Sequence, residues 1–332
     1  MPPQQLLRAA ALLAMKRPLA TVIGRRRRDG LDRELDPQLA AVLELQRLLR
    51  LPALESMEPV RARQFAEDGM SPLDVAPAAM AEVIDTTAPG YADRVPIRIF
   101  VPHDAGPHWI VYFHGGGGVI GSIRASEPVT RLLAAQTKCT VASVGYRLGP
   151  EDRHPAAIED AVCAWDLLMS RVGPAGRVAV AGDSFGGFLS AHVDRAAQRK
   201  PDLQVLIYPL VDMTLASPSI DRLGDGYLLT RSMILWFRSN YLNVDDDREL
   251  VSPRFWPSHR GAAPALIVTA GYDPLVDEGA AYAELLRGAG VPVRHRHHPS
   301  LIHGFLGLAG GVRAARAATD QICDDIRELL GG

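Results

Sequence analysis

A serine in a glycine-flanked turn constrains the fold of this chain most strongly. Residues 182–186 read G-D-S-F-G, which fits the pattern G-x-S-x-G. The turn follows a predicted strand over residues 177–181 and precedes a predicted helix over residues 186–197. Its two glycines are required because a side chain at either position would collide with the neighbouring strand or helix. The pattern therefore predicts a sharp strand-to-helix bend that exposes Ser184.

Strands and helices alternate from about residue 80 to the end of the chain. Strands are predicted over residues 95–101, 109–113, 140–146, 177–181, 203–208, 265–270 and 291–297. Helices are predicted over residues 155–172, 186–197, 228–242, 277–288 and 312–330. Such alternation predicts a mostly parallel sheet covered on both faces. Residues 1 to about 75 are predicted to be helical, and the 332 residues suffice for one large α/β domain with an accessory subdomain.

Composition and charge narrow the class of protein. Hydrophobic residues make up 47% and charged residues 22% of the chain, as in ordinary globular proteins. The net charge of −2 gives no indication of nucleic-acid binding. The three cysteines are far apart and form no C-x-x-C pair, which argues against a disulfide framework or a zinc site. This usage fits a reducing compartment, so we expect a cytoplasmic protein whose cysteines are small buried apolar residues.

The N-terminal segment is basic and carries four consecutive arginines at residues 25–28. A solvated helix or loop face is the favoured interpretation, and an amphipathic helix that touches anionic lipid is the alternative. No clean hydrophobic run precedes a small-residue cleavage site, and no stretch is long enough to span a bilayer. We therefore expect neither a secretory signal nor stable membrane insertion.

A second motif lies about seventy residues before Ser184. Residues 113–118 read F-H-G-G-G-G and directly follow the predicted strand 109–113. The four glycines at residues 115–118, here called the glycine loop, let the backbone approach a substrate closely. Their N–H groups, together with that of Phe185, are candidate donors to an oxyanion. A phosphate-binding loop is the alternative, but the glycine spacing of such loops is absent.

His303 is the candidate base for activating Ser184, because a serine hydroxyl is a poor nucleophile at neutral pH without one. It follows the last predicted strand. Nearby, residues 295–298 read H-R-H-H, which raises the alternative of a metal site. A strand alternates sides, so His295 and His297 would share one face and His298 would lie on the other. A solvated edge strand is the favoured interpretation.

Asp273 is the candidate acid that orients His303. It follows the predicted strand 265–270, where a carboxylate can accept the imidazole N–H. Asp277 is the rival, four residues further on. Asp277 lies where a helix is predicted to begin, and we interpret it as a helix-capping residue.

These motifs closely resemble those of the hormone-sensitive lipase-like bacterial esterases, or family IV. The matching segments are H-G-G-G at 114–117, Y-R-L-G-P-E at 146–151, G-D-S-F-G-G at 182–187, D-P-L-V-D-E-G at 273–279 and H-G-F at 303–305. The resemblance implies an α/β-hydrolase fold, with a mostly parallel eight-stranded sheet flanked by helices and a helical cap. The cap would comprise residues 1–75 and an insertion at about 210–245 within the catalytic domain, residues 76–332.

The resemblance also implies an activity and a set of site residues. The protein would be a serine carboxylesterase that forms an acyl-enzyme with a small ester, of short to medium acyl chain. The implied triad is Ser184, Asp273 and His303, and the implied oxyanion donors are the N–H groups of Gly116, Gly117 and Phe185. His114, Gly118 and Ile302, beside these motifs, are expected to contact substrate. No metal or organic cofactor is implied, and a homodimer through the edge strand 291–297 is expected.

Other activities remain open at this point. The same triad would serve hydrolysis of amides, lactones or N-acetyl groups. A non-catalytic ligand receptor of related fold is disfavoured because His303 is present. Two departures from the family pattern bear on specificity: Phe185 stands where alanine is usual, and Gly118 stands where a large residue is usual. The ring of Phe185 is expected to narrow the acyl side of the pocket, and the alternative is that it packs as core into the helix behind Ser184. The two changes would compensate sterically.

Overall fold

A computed structural model of the protein describes residues 34–70, 73–90 and 94–331. The expectations for the four arginines and the rest of residues 1–33 lie outside this part of the chain.

The sheet has eight strands in the order β1-β2-β4-β3-β5-β6-β7-β8. The strands are β1 Glu82–Pro89, β2 Arg94–Val101, β3 Trp109–Phe113, β4 Thr140–Val144, β5 Val178–Asp183, β6 Leu203–Ile207, β7 Ala265–Tyr272 and β8 Val293–Ile302. β1 pairs antiparallel with β2, and β2 pairs antiparallel with β4. From β4 to β8 every pairing is parallel. The prediction of a mostly parallel eight-stranded sheet is confirmed.

Helices cover both faces of this sheet. They are α1 Pro37–Leu48, α2 Pro59–Met70, α3 Ile123–Thr137, α4 Ala156–Met169, α5 Phe185–Ala196, α6 Pro218–Leu223, α7 Arg231–Tyr241, α8 Arg248–Val251, α9 Val276–Gly288 and α10 Arg313–Leu329. Short 3-10 turns occur at Leu54–Ser56, Pro253–Phe255 and Phe305–Leu308. Among the described residues, no helix combines the length and apolar character needed to cross a membrane.

The strand residues alternate between two cores, one on each face of the sheet. Ile110 and Tyr112 of β3 pack into one core together with side chains of α1, α3 and α10. Val111 and Phe113 point the other way, into a core shared with α4, α5 and α7. Every residue of β4, β6 and β7 is buried, because both faces of these strands are covered. The central strands are therefore packed on both faces.

Two elements gave no clear sequence pattern. Most of β1 is exposed, with only Ala88 buried, so its sequence lacks the apolar alternation that marks a half-buried strand. The helix α3 contains Pro128 in its interior, which weakens a helical prediction. Its start is nevertheless capped, since the Ser122 hydroxyl accepts a hydrogen bond from the Ala125 N–H at 3.0 Å.

Both segments assigned to the cap contain helices near one another. The segment 34–75 carries α1 and α2, and the segment at about 210–245 carries α6 and α7. α7 packs against the 3-10 turn Leu54–Ser56, which joins α1 to α2. α1 is fixed to the catalytic domain, since the side chain of Gln38 accepts a hydrogen bond from the Arg313 N–H at 3.1 Å. The division of the chain into cap and catalytic domain stays a prediction.

The three cysteines are free, and the expectation that each is buried is confirmed for two of them. Cys139 and Cys323 are buried, and Cys163 is half-buried. Burial raises the pKa of the Cys323 thiol well above its usual value, so it stays a thiol at neutral pH.

His192 of α5 gives a testable prediction about acid stability. Its ring packs at a tilt against Phe188 and edge to face with Trp256, and burial lowers its pKa to about 3. Between about pH 6.5 and pH 3 the unfolded chain binds a proton that the folded chain excludes. The free energy of unfolding should therefore fall by up to about 1.4 kcal/mol per pH unit below about 6.5 from this group alone.

The variant His192→Gln isolates this contribution. Glutamine keeps a donor for the Val251 carbonyl, which lies 3.1 Å from the histidine Nε2, but does not titrate. Urea unfolding at pH 7 and pH 5 should show that the wild type loses more stability on acidification than the variant. Parallel losses in the two proteins would contradict this role of His192.

Candidate active site

Ser184 lies at a strained turn between β5 and α5. Its φ is +53°, a left-handed conformation that is uncommon for a residue with a side chain. The turn is held by a hydrogen bond of 2.8 Å from the Ser184 N–H to the Ile207 carbonyl on the neighbouring strand. A Cβ at Gly182 would overlap the backbone of Gly186, and a Cβ at Gly186 would overlap the Phe113 carbonyl. The sequence prediction that only small residues fit at these two positions is confirmed.

Three side chains from separate loops form a continuous hydrogen-bonded chain. His303 Nε2 lies 2.9 Å from Ser184 Oγ, and His303 Nδ1 lies 2.8 Å from Asp273 Oδ2. Asp273 is fully buried, and His303 is 8% exposed. With the proton of the imidazole on Nδ1 donated to Asp273, Nε2 is free to accept the proton of the serine hydroxyl. The structure thus brings together the three residues that the sequence predicted.

The sheet explains why residues so far apart in sequence meet. Ser184 follows β5, Asp273 follows β7 and His303 follows β8. These strands are parallel, so their carboxyl ends lie at the same edge of the sheet. Loops at that edge of an open α/β sheet are where such folds place their functional residues.

The expectation that Asp277 caps a helix was wrong. α9 begins at Val276, so Asp277 is its second residue, and Leu275 occupies the N-cap position. The helix starts early because Asp273 holds the turn before it, accepting a hydrogen bond of 2.8 Å from the Leu275 N–H. Asp277 instead forms an ion pair with Arg222 at 3.1 Å and does not contact His303.

The glycine loop has a backbone that other residues would adopt only under strain. The φ angles of Gly116, Gly117 and Gly118 are +119°, +62° and +72°. None of the N–H groups of Gly116, Gly117 and Phe185 donates a hydrogen bond to another described residue. Three unused donors beside a serine nucleophile are what stabilisation of a tetrahedral oxyanion requires.

Asp183 anchors the start of the glycine loop to the nucleophile turn. Its Oδ1 accepts a hydrogen bond of 2.8 Å from the Gly115 N–H and one of 2.7 Å from the Tyr112 hydroxyl. Burial, with the charge of Asp183, raises the pKa of Tyr112 well above its usual value, so the phenol stays a donor. This link was not predicted from the sequence, where the position of Asp183 directly before Ser184 was the available signal.

His114 and Ile302, which the sequence analysis placed at the substrate, lie in buried surroundings. The His114 ring stacks on Tyr146 with centroids 4.4 Å apart, and its Nδ1 is 2.8 Å from the Gly115 carbonyl. Burial lowers the pKa of His114, which favours a neutral ring. Ile302 ends β8 and is fully buried within a hydrophobic core.

The ring of Phe185 occupies the space beside Gly118. A Cβ at Gly118 would lie 2.8 Å from Phe185 Cζ and 2.8 Å from Tyr241 Cδ2. Phe185 is fully buried, with ring centroids 5.0 Å from Phe188 and 4.7 Å from Tyr241. The large residue at 185 and the small one at 118 thus compensate sterically, as the sequence analysis expected, and the ring packs as part of the core.

Other features of the described residues lie apart from the triad. A surface cavity of about 750 Å³ opens beside α7, and neither Ser184 nor its partners line it, so we do not assign substrate to it. β8 is an edge strand, and His295 and His297 share one face, where both contact the Thr269 hydroxyl. Among these residues, no three His, Cys, Asp or Glu side chains are grouped so as to hold a metal ion.

Known proteins resemble this chain over most of its length. A family model described as the alpha/beta hydrolase fold matches residues 110–307. The carboxylic ester hydrolase LipN of Mycobacterium tuberculosis is 36% identical over 314 residues, covering 89% of this chain and 83% of that protein. An ethyl acetate hydrolase of Pseudomonas putida is 35% identical over 322 residues, covering 89% of this chain and 99% of that protein.

Solved structures give the same picture. An ester hydrolase from the metagenome of Lake Arreo superposes with a TM-score of 0.86 at 32% identity, covering 90% of this chain and 100% of that one. The hyperthermophilic esterase of the archaeon Pyrobaculum calidifontis superposes with a TM-score of 0.81 at 34% identity, covering 89% and 98%. The range matched by the family model includes the glycine loop, Ser184, Asp273 and His303.

Proposed function

Because this chain belongs to the α/β-hydrolase family of hormone-sensitive lipase-like esterases, we propose that it hydrolyses esters through an acyl-enzyme formed on Ser184. It is a carboxylic ester hydrolase, as are relatives 34% to 36% identical over most of its length. The observation that carries the proposed mechanism is the hydrogen-bonded chain from Ser184 through His303 to Asp273.

The first half of the reaction forms the acyl-enzyme. Ser184 Oγ attacks the ester carbonyl carbon while His303 Nε2 takes the hydroxyl proton. The carbonyl oxygen becomes an oxyanion, which accepts hydrogen bonds from the N–H groups of Gly116, Gly117 and Phe185. The bond from carbon to the alkoxy oxygen then breaks, and His303 passes its proton to the departing alcohol.

The second half releases the acid. A water molecule gives a proton to His303 Nε2 and attacks the acyl carbon, and the same backbone donors hold the new oxyanion. The bond to Ser184 Oγ breaks, the serine recovers its proton from His303, and the carboxylic acid leaves. Asp273 keeps its charge throughout and stabilises the imidazolium that forms in each half.

We assign short- to medium-chain acyl esters as substrates. One relative is named an ethyl acetate hydrolase, a small ester. The side chain of Phe237 on α7 lies directly against Gly117, so little space is left over the glycine loop. Hydrolysis of amides or lactones by the same triad is the alternative. Comparing kcat/KM for a nitrophenyl butyrate with that for the matching anilide separates the two.

The pair Asp273 and Asp277 offers a matched test of the mechanism. Asp273→Asn should lower kcat on a nitrophenyl ester by about 10³- to 10⁴-fold, because the amide no longer holds the imidazole tautomer that accepts the serine proton. Asp277→Asn removes an equal charge four residues away, where the carboxylate pairs with Arg222, and should leave kcat within about twofold of the wild type. Equal losses in the two variants, or none in Asp273→Asn, would contradict the assigned acid.

We also propose a cytoplasmic location and a homodimer. The three free cysteines support a reducing compartment. β8 supports the dimer, since it is the last strand in the order of the described sheet and lies at its edge. Sedimentation of the purified protein measures the oligomeric state directly.

A further inference from the structure

The glycine loop depends on outside support for its shape. Three successive glycines with positive φ form no regular secondary structure, so the backbone has little local preference for this conformation. Asp183 fixes only its first residue, through the Gly115 N–H. The far end closes as a turn in which the N–H groups of Val119 and Ile120 both donate to the Gly116 carbonyl at 3.0 Å.

Arg63 of α2 holds that far end. Its Nε donates to the Val119 carbonyl at 2.7 Å, and its Nη2 donates to the Gly149 carbonyl at 2.8 Å. The Gly149 N–H in turn donates to the Gly118 carbonyl at 2.8 Å. A single guanidinium therefore joins the turn that follows the glycine loop to Gly149, whose N–H donates to the last carbonyl of the loop.

The orientation of Arg63 is itself fixed. Its two terminal nitrogens form a two-pronged ion pair with Glu151, with distances of 3.0 Å and 2.5 Å. One turn further along α2, Glu67 accepts a short hydrogen bond from the Ser122 hydroxyl and pairs with Arg124 at 2.8 Å. Residues four apart lie on one face of a helix. One face of α2 thus contacts both ends of the turn 119–122, with Arg63 at Val119 and Glu67 at Ser122.

We propose that Arg63 is a positioning residue for the oxyanion hole, acting through the Val119 and Gly149 carbonyls. This inference rests on the proposed role of Gly116 and Gly117 as oxyanion donors. The N-terminal segment would then contribute to the chemical step, in addition to any contact it makes with substrate. Because displacing a catalytic group by about 1 Å costs up to about 100-fold in rate, loss of this support should lower turnover measurably.

The test replaces Arg63 by glutamine and uses a second arginine of the same helix as the control. Arg63→Gln should lower kcat on nitrophenyl butyrate by about 10- to 100-fold while KM changes less than about twofold. It should weaken inhibition by a trifluoromethyl ketone by a similar factor, since that inhibitor forms an oxyanion on the serine. Arg61→Gln removes an exposed arginine of the same helix and should leave kcat within about twofold.

Several outcomes would overturn the inference. They are a change below twofold in both kcat and ketone affinity for Arg63→Gln, a rise in KM with unchanged kcat, or an equal loss of kcat in Arg61→Gln. Melting temperatures show which variants are folded. Arg63→Lys retains one donor group and should recover part of the lost kcat. It replaces Arg63→Gln as the test if the glutamine variant does not fold. If the wild type hydrolyses the ester and Ser184→Ala does not, the proposed function stands even where the role of Arg63 fails.

Discussion

Ser184→Ala is expected to lower kcat on nitrophenyl esters by about 10⁴- to 10⁶-fold, because the members of such a triad act as a unit. Without the hydroxyl there is no atom to form the acyl-enzyme, and His303 and Asp273 have nothing to activate. Steady-state hydrolysis of nitrophenyl butyrate measures the loss. The melting temperature should change little, since the substitution removes one oxygen from a half-buried side chain.

Ser190→Ala is the matched control for this result. Ser190 lies on the same helix α5, is fully buried, and donates a hydrogen bond of 2.8 Å to the Gly186 carbonyl. It makes the same chemical change without touching the triad, so kcat should stay within a few-fold of the wild type. Activity of Ser184→Ala within tenfold of the wild type would show that another residue is the nucleophile.

Phe185→Ala is expected to reduce the free energy of unfolding by about 3–5 kcal/mol, the range seen when a buried phenylalanine is truncated. The ring is fully buried against Phe188, Tyr146 and Tyr241. Its removal leaves a cavity in the core, while the backbone N–H that faces the oxyanion is retained. Urea unfolding measures the effect on stability, and the ratio of kcat/KM for butyrate and octanoate esters measures the effect on specificity.

These two measurements decide between core packing and a role in the acyl pocket. We expect the ratio to stay within about twofold, as it should for Phe188→Ala, a control in the same aromatic cluster. A ring that limited the acyl pocket would behave differently: its loss would raise octanoate hydrolysis relative to butyrate by about 10- to 200-fold. Such a shift with little loss of stability would contradict the core role.

The sequence predicted the parts of the site that depend on local chemistry. Ser184, Asp273 and His303 each lie just after a strand whose apolar residues are evident in the sequence, and the parallel sheet brings their ends together. β1 escaped prediction because an edge strand with one buried residue has no apolar pattern to detect. The start of α9 was misplaced because a tertiary turn, held by Asp273, determines it.

The supports of the oxyanion donors could not be read from the sequence. Asp183 reaches the Gly115 N–H across 68 positions, and Arg63 reaches the Val119 carbonyl across 56. Both contacts are made to backbone groups, the Gly115 N–H and the Val119 carbonyl, so the identity of the residue at either position does not indicate them. They depend on how the segments pack once the sheet has formed.

Covalent labelling of the serine tests the central claim most directly. The wild-type protein would be treated with an organophosphate ester, which phosphorylates an activated serine, and digested for peptide mass spectrometry. We predict one label per chain, located on Ser184, that appears in parallel with the loss of esterase activity and is absent from Ser184→Ala. Inactivation with the label on another residue, or full labelling of Ser184 with activity retained, would contradict an acyl-enzyme mechanism at this site.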